Sequence, residues 1–290
     1  MIKPLTVFVT GATGNQGGAV ARALIKNNHN VVALTRNKES VAANELAKLG
    51  AEVIEGSLDA PQLLIDTLKR VDTLFLMGSP METSVEKETT QGIAIVDAAK
   101  AANVGHLVYS SVANADKNTG IPHFESKYKV EQYIRSLDIP FTICAPVAFM
   151  ENIIAPWSID AFKARKIVQA LPGEIKLQQV SLRNLGEFVA GIIEKRADVF
   201  GQRFDIAGDE VSGNEMANIL TNATHQTISY ESFPTSELRK LSDDMATMFE
   251  WLADAGYDVD MRKLHNRFNN VNWQNYNQWA ESANWSVLNH

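Results

Sequence analysis

The 290-residue chain is poor in cysteine, with Cys144 alone. No internal disulfide can form, so the core must hold the fold, and the composition suits a reducing compartment. Cys144 lies in an apolar stretch and is expected to be buried. A long basic run is also missing, and the formal net charge is −7, which argues against direct nucleic-acid binding. No apolar run approaches the roughly 20 residues that cross a bilayer. The chain enters an apolar strand almost at once, leaving no room for a signal peptide. A soluble cytoplasmic protein is expected, with no membrane partner. Repeats, low-complexity tracts and a clear linker are absent as well. The hydrophobic fraction of 45% is ordinary and supplies a full core.

The most informative stretch is LTVFVTGATGNQGG, residues 5–18. An apolar strand (Leu5, Val7, Phe8, Val9) stops at Thr10, and Gly11, Gly14 and Gly17 follow at three-residue spacing. An apolar segment of helical period, 20–25, comes next. A strand feeding a glycine turn feeding a helix is the context of a dinucleotide site. One glycine permits the turn, one admits a pyrophosphate, and one allows close helix–strand packing. The N–H groups at the helix start bind phosphate.

Strand and helix signals then alternate. Strands are expected at 31–35, 52–55, 72–77, 106–111 and 140–145, and helices at 40–49, 61–70, 84–102 and 125–137. Gly50 reads as a helix C-cap. The nearly all-apolar strands imply a parallel sheet covered on both faces, hence an α/β doubly wound Rossmann fold with ligands outside the carboxyl ends of the strands. After Pro146 the alternation loosens. Helices are expected at 151–165 (broken near Pro156), 182–195 and 236–255, and strands at 201–206 and 226–233. Ser212 and Glu215 form a capping box opening a helix to about residue 223. Residues 1–152 with 180–207 are read as the nucleotide-binding domain, and 153–179 with 208–290 as a smaller, mainly helical domain. The tail carries Trp273, Trp279 and Trp285, which either close a dimer interface or cap the small lobe.

The nucleotide can be narrowed. An NAD site usually has Asp or Glu after the second strand, to hold the ribose hydroxyls. Here the residues are Thr35-Arg36-Asn37-Lys38. The Arg36 guanidinium suits a 2′-phosphate, and Lys38 adds charge, so NADP(H) is the expected cofactor. Asn15 and Gln16 can donate to phosphate. Two roles are open to Asp59: binding the adenine amino group, or capping the helix at Pro61. The loop Met77-Gly78-Ser79-Pro80 should pass over the adenine ribose, and Ser110 and Ser111 should reach the nicotinamide ribose.

Lys127 shares a helical face with Val130 and Ile134. An inward lysine near strand ends needs an anionic or hydroxyl partner, and a nicotinamide ribose is one; a stem laid on apolar surface with its amine in water is the alternative. Reduction of a carbonyl also needs a proton donor. Four residues before Lys127 stands His123, while Tyr128 points about 100° away round the helix. His123 and Lys127 are the candidate catalytic groups.

Together these residues resemble the NmrA-like family of atypical short-chain dehydrogenases. The matching pieces are TGATGNQGG, TRN after the second strand, GAEVIEGSLD, YSS, HFESKYKVEQYIR, APVAFMENI and VSLRNLGEFV. His-Phe-x-x-Lys in place of Tyr-x-x-x-Lys resembles the human NmrA-like redox-sensor branch. The resemblance spans essentially the whole chain and is loosest past Asp260. It implies a Rossmann domain with a small C-terminal domain. It implies NADP(H) held by Gly11, Thr13, Gly14, Asn15, Gln16, Gly17, Arg36 and Lys127. It also implies that the Pro146–Asn152 loop, with Phe149, lies against the nicotinamide.

The family includes regulators that sense NADP(H) balance and bind protein partners, and reductases of quinones and phenolic compounds. Three functions follow as expectations. The first is a redox-sensing regulator, with a protein partner or a homodimer. The second is a reductase of a small carbonyl or quinone, with Phe149, Trp157, Phe162 and Phe233 lining its pocket or simply packing the core. The third is a nucleotide-free scaffold.

Overall fold

The structure, a computed structural model, describes residues 3–78 and 84–289. In chain order the elements are β1 (Thr6–Val9), α1 (Asn15–Lys26), β2 (Asn30–Thr35), α2 (Val41–Lys48), β3 (Glu52–Glu55), α3 (Ile65–Leu68), β4 (Thr73–Leu76), α4 (Val85–Ala101), β5 (Leu107–Ser110), α5 (Pro122–Ser136) and β6 (Phe141–Pro146). There follow β7 (Ala148–Phe149), α6 (Ile159–Lys163), β8 (Lys166–Gln169), β9 (Lys176–Val180), α7 (Leu182–Glu194), α8 (Arg196–Val199), β10 (Gln202–Ile206), β11 (Asp209–Ser212), α9 (Gly213–Thr224), β12 (Ser229–Ser232), α10 (Thr235–Leu241), α11 (Asp243–Asp254), α12 (Met261–Arg267) and α13 (Tyr276–Ser282).

The chain divides into two units. The first is Met1–Asn118, Pro122–Ala145 and Leu185–Asp205; the second is Thr119–Ile121, Pro146–Asn184 and Ile206–His290. Residues 146–152 and 180–184 thus fall in the second unit. The first unit carries a seven-stranded sheet in the order β10-β6-β5-β4-β1-β2-β3, with β1 to β6 parallel. Strands β4 and β5 are wholly buried, as their apolar runs require. The strand order reverses between β4 and β1, which makes the carboxyl ends of those two strands the switch point where α/β sheets bind ligands. Cys144 is fully buried in β6, and burial pushes its thiol up, leaving it inert. Among the described residues no helix is long and apolar enough to cross a membrane.

The second unit is mainly helical, as expected. Beside its helices it has a sheet β11-β9-β7 and a pair β12-β8. Strand β9, KLQQV, escapes a hydropathy reading because Gln178 and Gln179 are both buried. Gln178 closes a reciprocal pair with the Val259 backbone, donating to its carbonyl (3.2 Å) and accepting from its N–H (3.0 Å). The expected helix 236–255 is two helices, because Ser242 adopts an extended backbone and its hydroxyl accepts from Met245 N. The helix expected at 61–70 is a 3₁₀ turn, Pro61–Leu64, followed by α3. The capping box forms as read: Glu215 N donates to Ser212 Oγ (3.2 Å) and Ser212 N to Glu215 Oε2 (2.7 Å).

The tail caps its own unit. Trp279 and Trp285 pack with Phe162 and Met150 in the second core, and Trp273 stacks on His265 at 4.3 Å. Phe162 is therefore a core residue, while Trp157 is 70% exposed, so the two do not line one pocket.

A buried histidine sets an acid limit for the first unit. The Thr142 hydroxyl donates to Val199 O (2.9 Å), so it accepts from His106 Nε2–H (2.9 Å). Nδ1 is then the unprotonated nitrogen, and it has no hydrogen-bond partner among the described residues. Burial, helped by the Arg196 charge, pushes this imidazole down to about 3. The unfolded chain binds a proton near pH 6.5 and the fold does not. The His106 contribution is therefore present above about pH 6.5 and is lost as pH falls towards 3, at about 1.4 kcal/mol per unit. Urea unfolding at pH 6.5 and pH 5 should show a loss of about 2 kcal/mol in the native chain, and a markedly smaller one in His106→Gln.

Candidate functional site

At the end of β1, Thr10 ties two strands together. Its N–H donates to Phe75 O (3.1 Å), and its hydroxyl donates to Met77 O (3.0 Å) and accepts from Met77 N (2.8 Å). Both sides of the switch point are thereby stitched. Gly11 then takes φ +60, where a Cβ would lie 2.7 Å from Met77 Sδ. Its carbonyl accepts from Gly14 N at 2.9 Å. A Cβ on Gly17 would fall 2.3 Å from Gly11 O and 2.6 Å from Thr10 O, so α1 sits closer to its own turn than any side chain permits. Helix α1 starts with no side-chain cap and no acidic residue in its first turn. The positive end of the helix dipole is left for an anion. Gly14 and Asn15 are exposed beside this start, with Thr13 and Gln16 half-buried.

Other strand ends bring further residues to the same edge. Arg36 and Lys38 are exposed in the loop after β2. Gly78 follows β4; Ser79 and Pro80 lie outside the described residues. Ser110, buried at the end of β5, accepts from Gln16 Nε2, so the glycine loop reaches across β4. Asp59 does not cap the Pro61 turn: Ala60 stands at that position and no side chain caps it. Instead its carboxylate accepts from Gln91 Nε2 (2.8 Å) and pairs with Lys87 (3.0 Å), both on α4. These two partners hold its carboxyl below the usual range. Asp59, Lys87 and Gln91 line a groove of about 440 Å³ with Leu58, Pro61 and Thr90.

Helix α5 starts at Pro122, three residues earlier than expected, because proline suits a first helical turn. His123 is therefore inside the helix, on the face of Lys127, with its ring edge-on to Phe124 at 4.9 Å. Val130 and Ile134 are buried as the face predicts. Lys127 is only 12% exposed, and its amine donates to Glu88 Oε1 at 2.5 Å. Glu88, 2% exposed on α4, also accepts from Ser126 Oγ at 2.7 Å. One turn on, the buried Glu131 accepts from Arg203 of β10 at 3.1 Å, and Arg203 Nη2 donates to Val112 O at 2.9 Å. Burial pushes the Glu131 carboxyl up against the pull of Arg203. This network fixes α5 to the sheet edge.

Pro146, Phe149 and Asn152 belong to the second unit. Pro146 is buried, Phe149 pairs with Val180 across β7 and β9, and Asn152 O accepts from Ala155 N. Between them Glu151 accepts from Leu182 N at the start of α7 (3.0 Å) and from Trp279 Nε1 (3.1 Å). Burial pushes its carboxyl up.

Sequence reasoning missed Glu88, Glu151 and Gly186. Glu88 had a readable signal: it continues, four and seven residues back, the buried stripe of Gly92 and Ile95. Gly186 had none; its Cβ would lie 2.6 Å from Ala19 O, so α7 rides on the backbone of α1.

A model of the NmrA-like family matches residues 3–282. An NmrA-like family domain-containing protein of Dictyostelium discoideum is 27% identical over 284 residues, covering 90% of this chain and 92% of its own. The chain spans about half the length of several other curated relatives it matches. Two solved structures show the same fold. One is NmrA, a negative transcriptional regulator, in complex with NADP (TM-score 0.79, 17% identity, 97% of this chain and 95% of that one). The other is an NADPH-dependent quinone oxidoreductase of Escherichia coli complexed with NADPH (TM-score 0.77, 21% identity, 94% and 98%).

The glycine geometry sets an order of tolerance. Gly17→Ala should destabilise the chain by about 1–3 kcal/mol in urea unfolding, since Gly11 must move. Gly14→Ala, whose Cβ would meet Gly11 O at 3.3 Å, should cost clearly less. Equal costs would mean that the helix–turn contact is not the constraint.

Proposed function

The chain belongs to the NmrA-like family, and from that premise we propose that it binds NADP(H) in its first unit and reads the bound nucleotide as a signal of redox state. The residues fit the group. The glycine cradle leaves room where any Cβ would intrude, and the uncapped α1 start offers N–H donors to a pyrophosphate. Arg36 binds the 2′-phosphate, assisted by Lys38, in a loop with no carboxylate directly after β2. Asn15 and Gln16 donate to phosphate, Asp59 and Gly78 serve the adenosine end, and Ser110 and Lys127 donate to the nicotinamide ribose. Pro146, Phe149 and Asn152 are assigned to the nicotinamide end. The family's NADP-bound regulator supports this reading.

One observation carries the choice of a signalling role. The position four residues before Lys127 holds His123, whose ring rests on Phe124, and the Lys127 amine is committed to Glu88. The usual hydroxyl acid beside the lysine is missing. Bound NADPH supplies a hydride; the chain supplies binding and orientation without that donor. A signal requires contacts that differ between free and bound states, which a protein partner or a second copy would then read.

A second reading, reduction of a quinone, is favoured by the NADPH-dependent quinone oxidoreductase among its structural neighbours. A quinone takes hydride from the cofactor and its proton from water, so the missing tyrosine does not forbid it.

Calorimetric titration should give NADPH binding at least about tenfold tighter than NADH, with the preference lost in Arg36→Asp. NADPH should also change the protease-cleavage pattern or the oligomer size, without oxidation in a panel of quinones and aldehydes. Turnover with a quinone would replace the signalling reading by the reductase one, and preference for NADH would refute the cofactor assignment.

A further inference from the structure

Glu88 is an expensive residue to bury. Its carboxylate is 2% exposed beneath α5, and it takes Lys127 on one oxygen and Ser126 on the other. Removing two such charges from water carries a desolvation cost that their attraction must first offset, and an apolar pair of similar volume usually holds two helices as well. The helices do not need the pair: Gly92 of α4 lets Val130 of α5 approach so closely that a Cβ there would meet Val130 Cγ2 at 2.9 Å. The carboxylate also lies against the strand end. A Cβ on Gly78 would fall 3.0 Å from Glu88 Cγ and 3.1 Å from Oε1. So the backbone just past β4, the carboxylate and the lysine amine form one stack. Gly78 allows Glu88 in, and Glu88 fixes where the amine stands.

We infer that Glu88 is the positioning residue for Lys127, holding its amine at the nicotinamide end of the cofactor site. The inference rests on the NADP(H) reading above. Ser126 completes the device. Its hydroxyl donates to Glu88 Oε2, which keeps the carboxylate from rotating away and leaves Oε1 to Lys127. The chain thereby substitutes a carboxylate on a neighbouring helix for a tyrosine on the same one. That carboxylate orients the lysine but offers the site no phenolic proton.

The test compares two ligands on the full chain. NADPH reaches the Lys127 end, whereas 2′,5′-ADP carries only the adenosine and 2′-phosphate end. Glu88→Gln keeps the volume and removes the charge. It should weaken NADPH by about tenfold, the loss expected for one charged hydrogen bond, and 2′,5′-ADP by less than about twofold. Lys127→Met should show the same split. The double variant should lose no more than Lys127→Met alone, because the two groups act as one. Unchanged 2′,5′-ADP binding also reports that each variant is folded.

Equal losses for both ligands would make Glu88 merely structural and overturn the inference. So would losses that add in the double variant, or an unaltered NADPH affinity. If the native chain binds neither ligand, the cofactor reading itself fails and carries this one with it.

Discussion

The constraint on which the first unit depends is the approach of α1 to the turn that precedes it. A helix whose third residue lies within 2.3 Å of a carbonyl, measured from the Cβ it lacks, has no freedom to slide or tilt. Its start is therefore locked above β1. The other side of α1 is treated alike, since Gly186 brings α7 onto Ala19 O at 2.6 Å. With α1 clamped between β1 and α7, its first N–H groups have a defined position. Thr10 then transmits that position to β4 through three hydrogen bonds. A phosphate site made of backbone needs this rigidity, because dipoles that must reorganise bind less well than dipoles already aimed.

Much of this was legible in the residues. The Gly11-Gly14-Gly17 spacing between a strand and a helix stated both the turn and the close packing. The sheet followed from apolar runs, since strands covered on both faces have nothing polar to show. The face of Lys127 was readable from Val130 and Ile134. Two of the differences share a cause: they occur where polar side chains are buried and paired. Strand β9 is hidden by Gln178, which is satisfied by Val259, some 80 residues away in sequence. Glu88 looks like a surface charge at a helix start until Lys127 is found against it, 39 positions later. Asp59, which is exposed, leaves an adenine contact and a local cap open in the sequence; the cap does not form, because its carboxylate partners stand on α4. Hydropathy prices each residue alone and cannot see a partner supplied by tertiary structure.

Buried charge also separates the parts of α5. Glu131 is paired with Arg203, which also holds Asp205 on the edge strand β10 and Val112 O in the loop after β5. That cluster ties helix to scaffold and has structural partners on every side. Glu88 is different, because its partner is a lysine at the strand ends and its neighbour is the backbone of Gly78. The two carboxylates, Glu131 on α5 and the Glu88 partner of Lys127 one turn before it, thus serve two ends. One makes the helix immobile, and the other sets the amine that the immobile helix carries.

The position four residues before Lys127 gains its meaning from that division. In a reductase that protonates an alkoxide, the lysine's companion is an acid whose hydroxyl faces the reacting oxygen. Here the companion is His123, turned edge-on to Phe124, and the lysine is oriented by Glu88 from outside its own helix. On the proposed reading this arrangement holds and orients the cofactor, and no tyrosine stands four residues before the lysine. On the proposed signalling reading, a site arranged so favours a long-lived complex over a turnover cycle. An oxidised and a reduced nicotinamide differ in charge by one unit, so a fixed ammonium beside that ring end is the kind of contact through which the two forms would bind with different free energies. Discrimination between the two oxidation states then needs no chemistry at all, only an amine that cannot move.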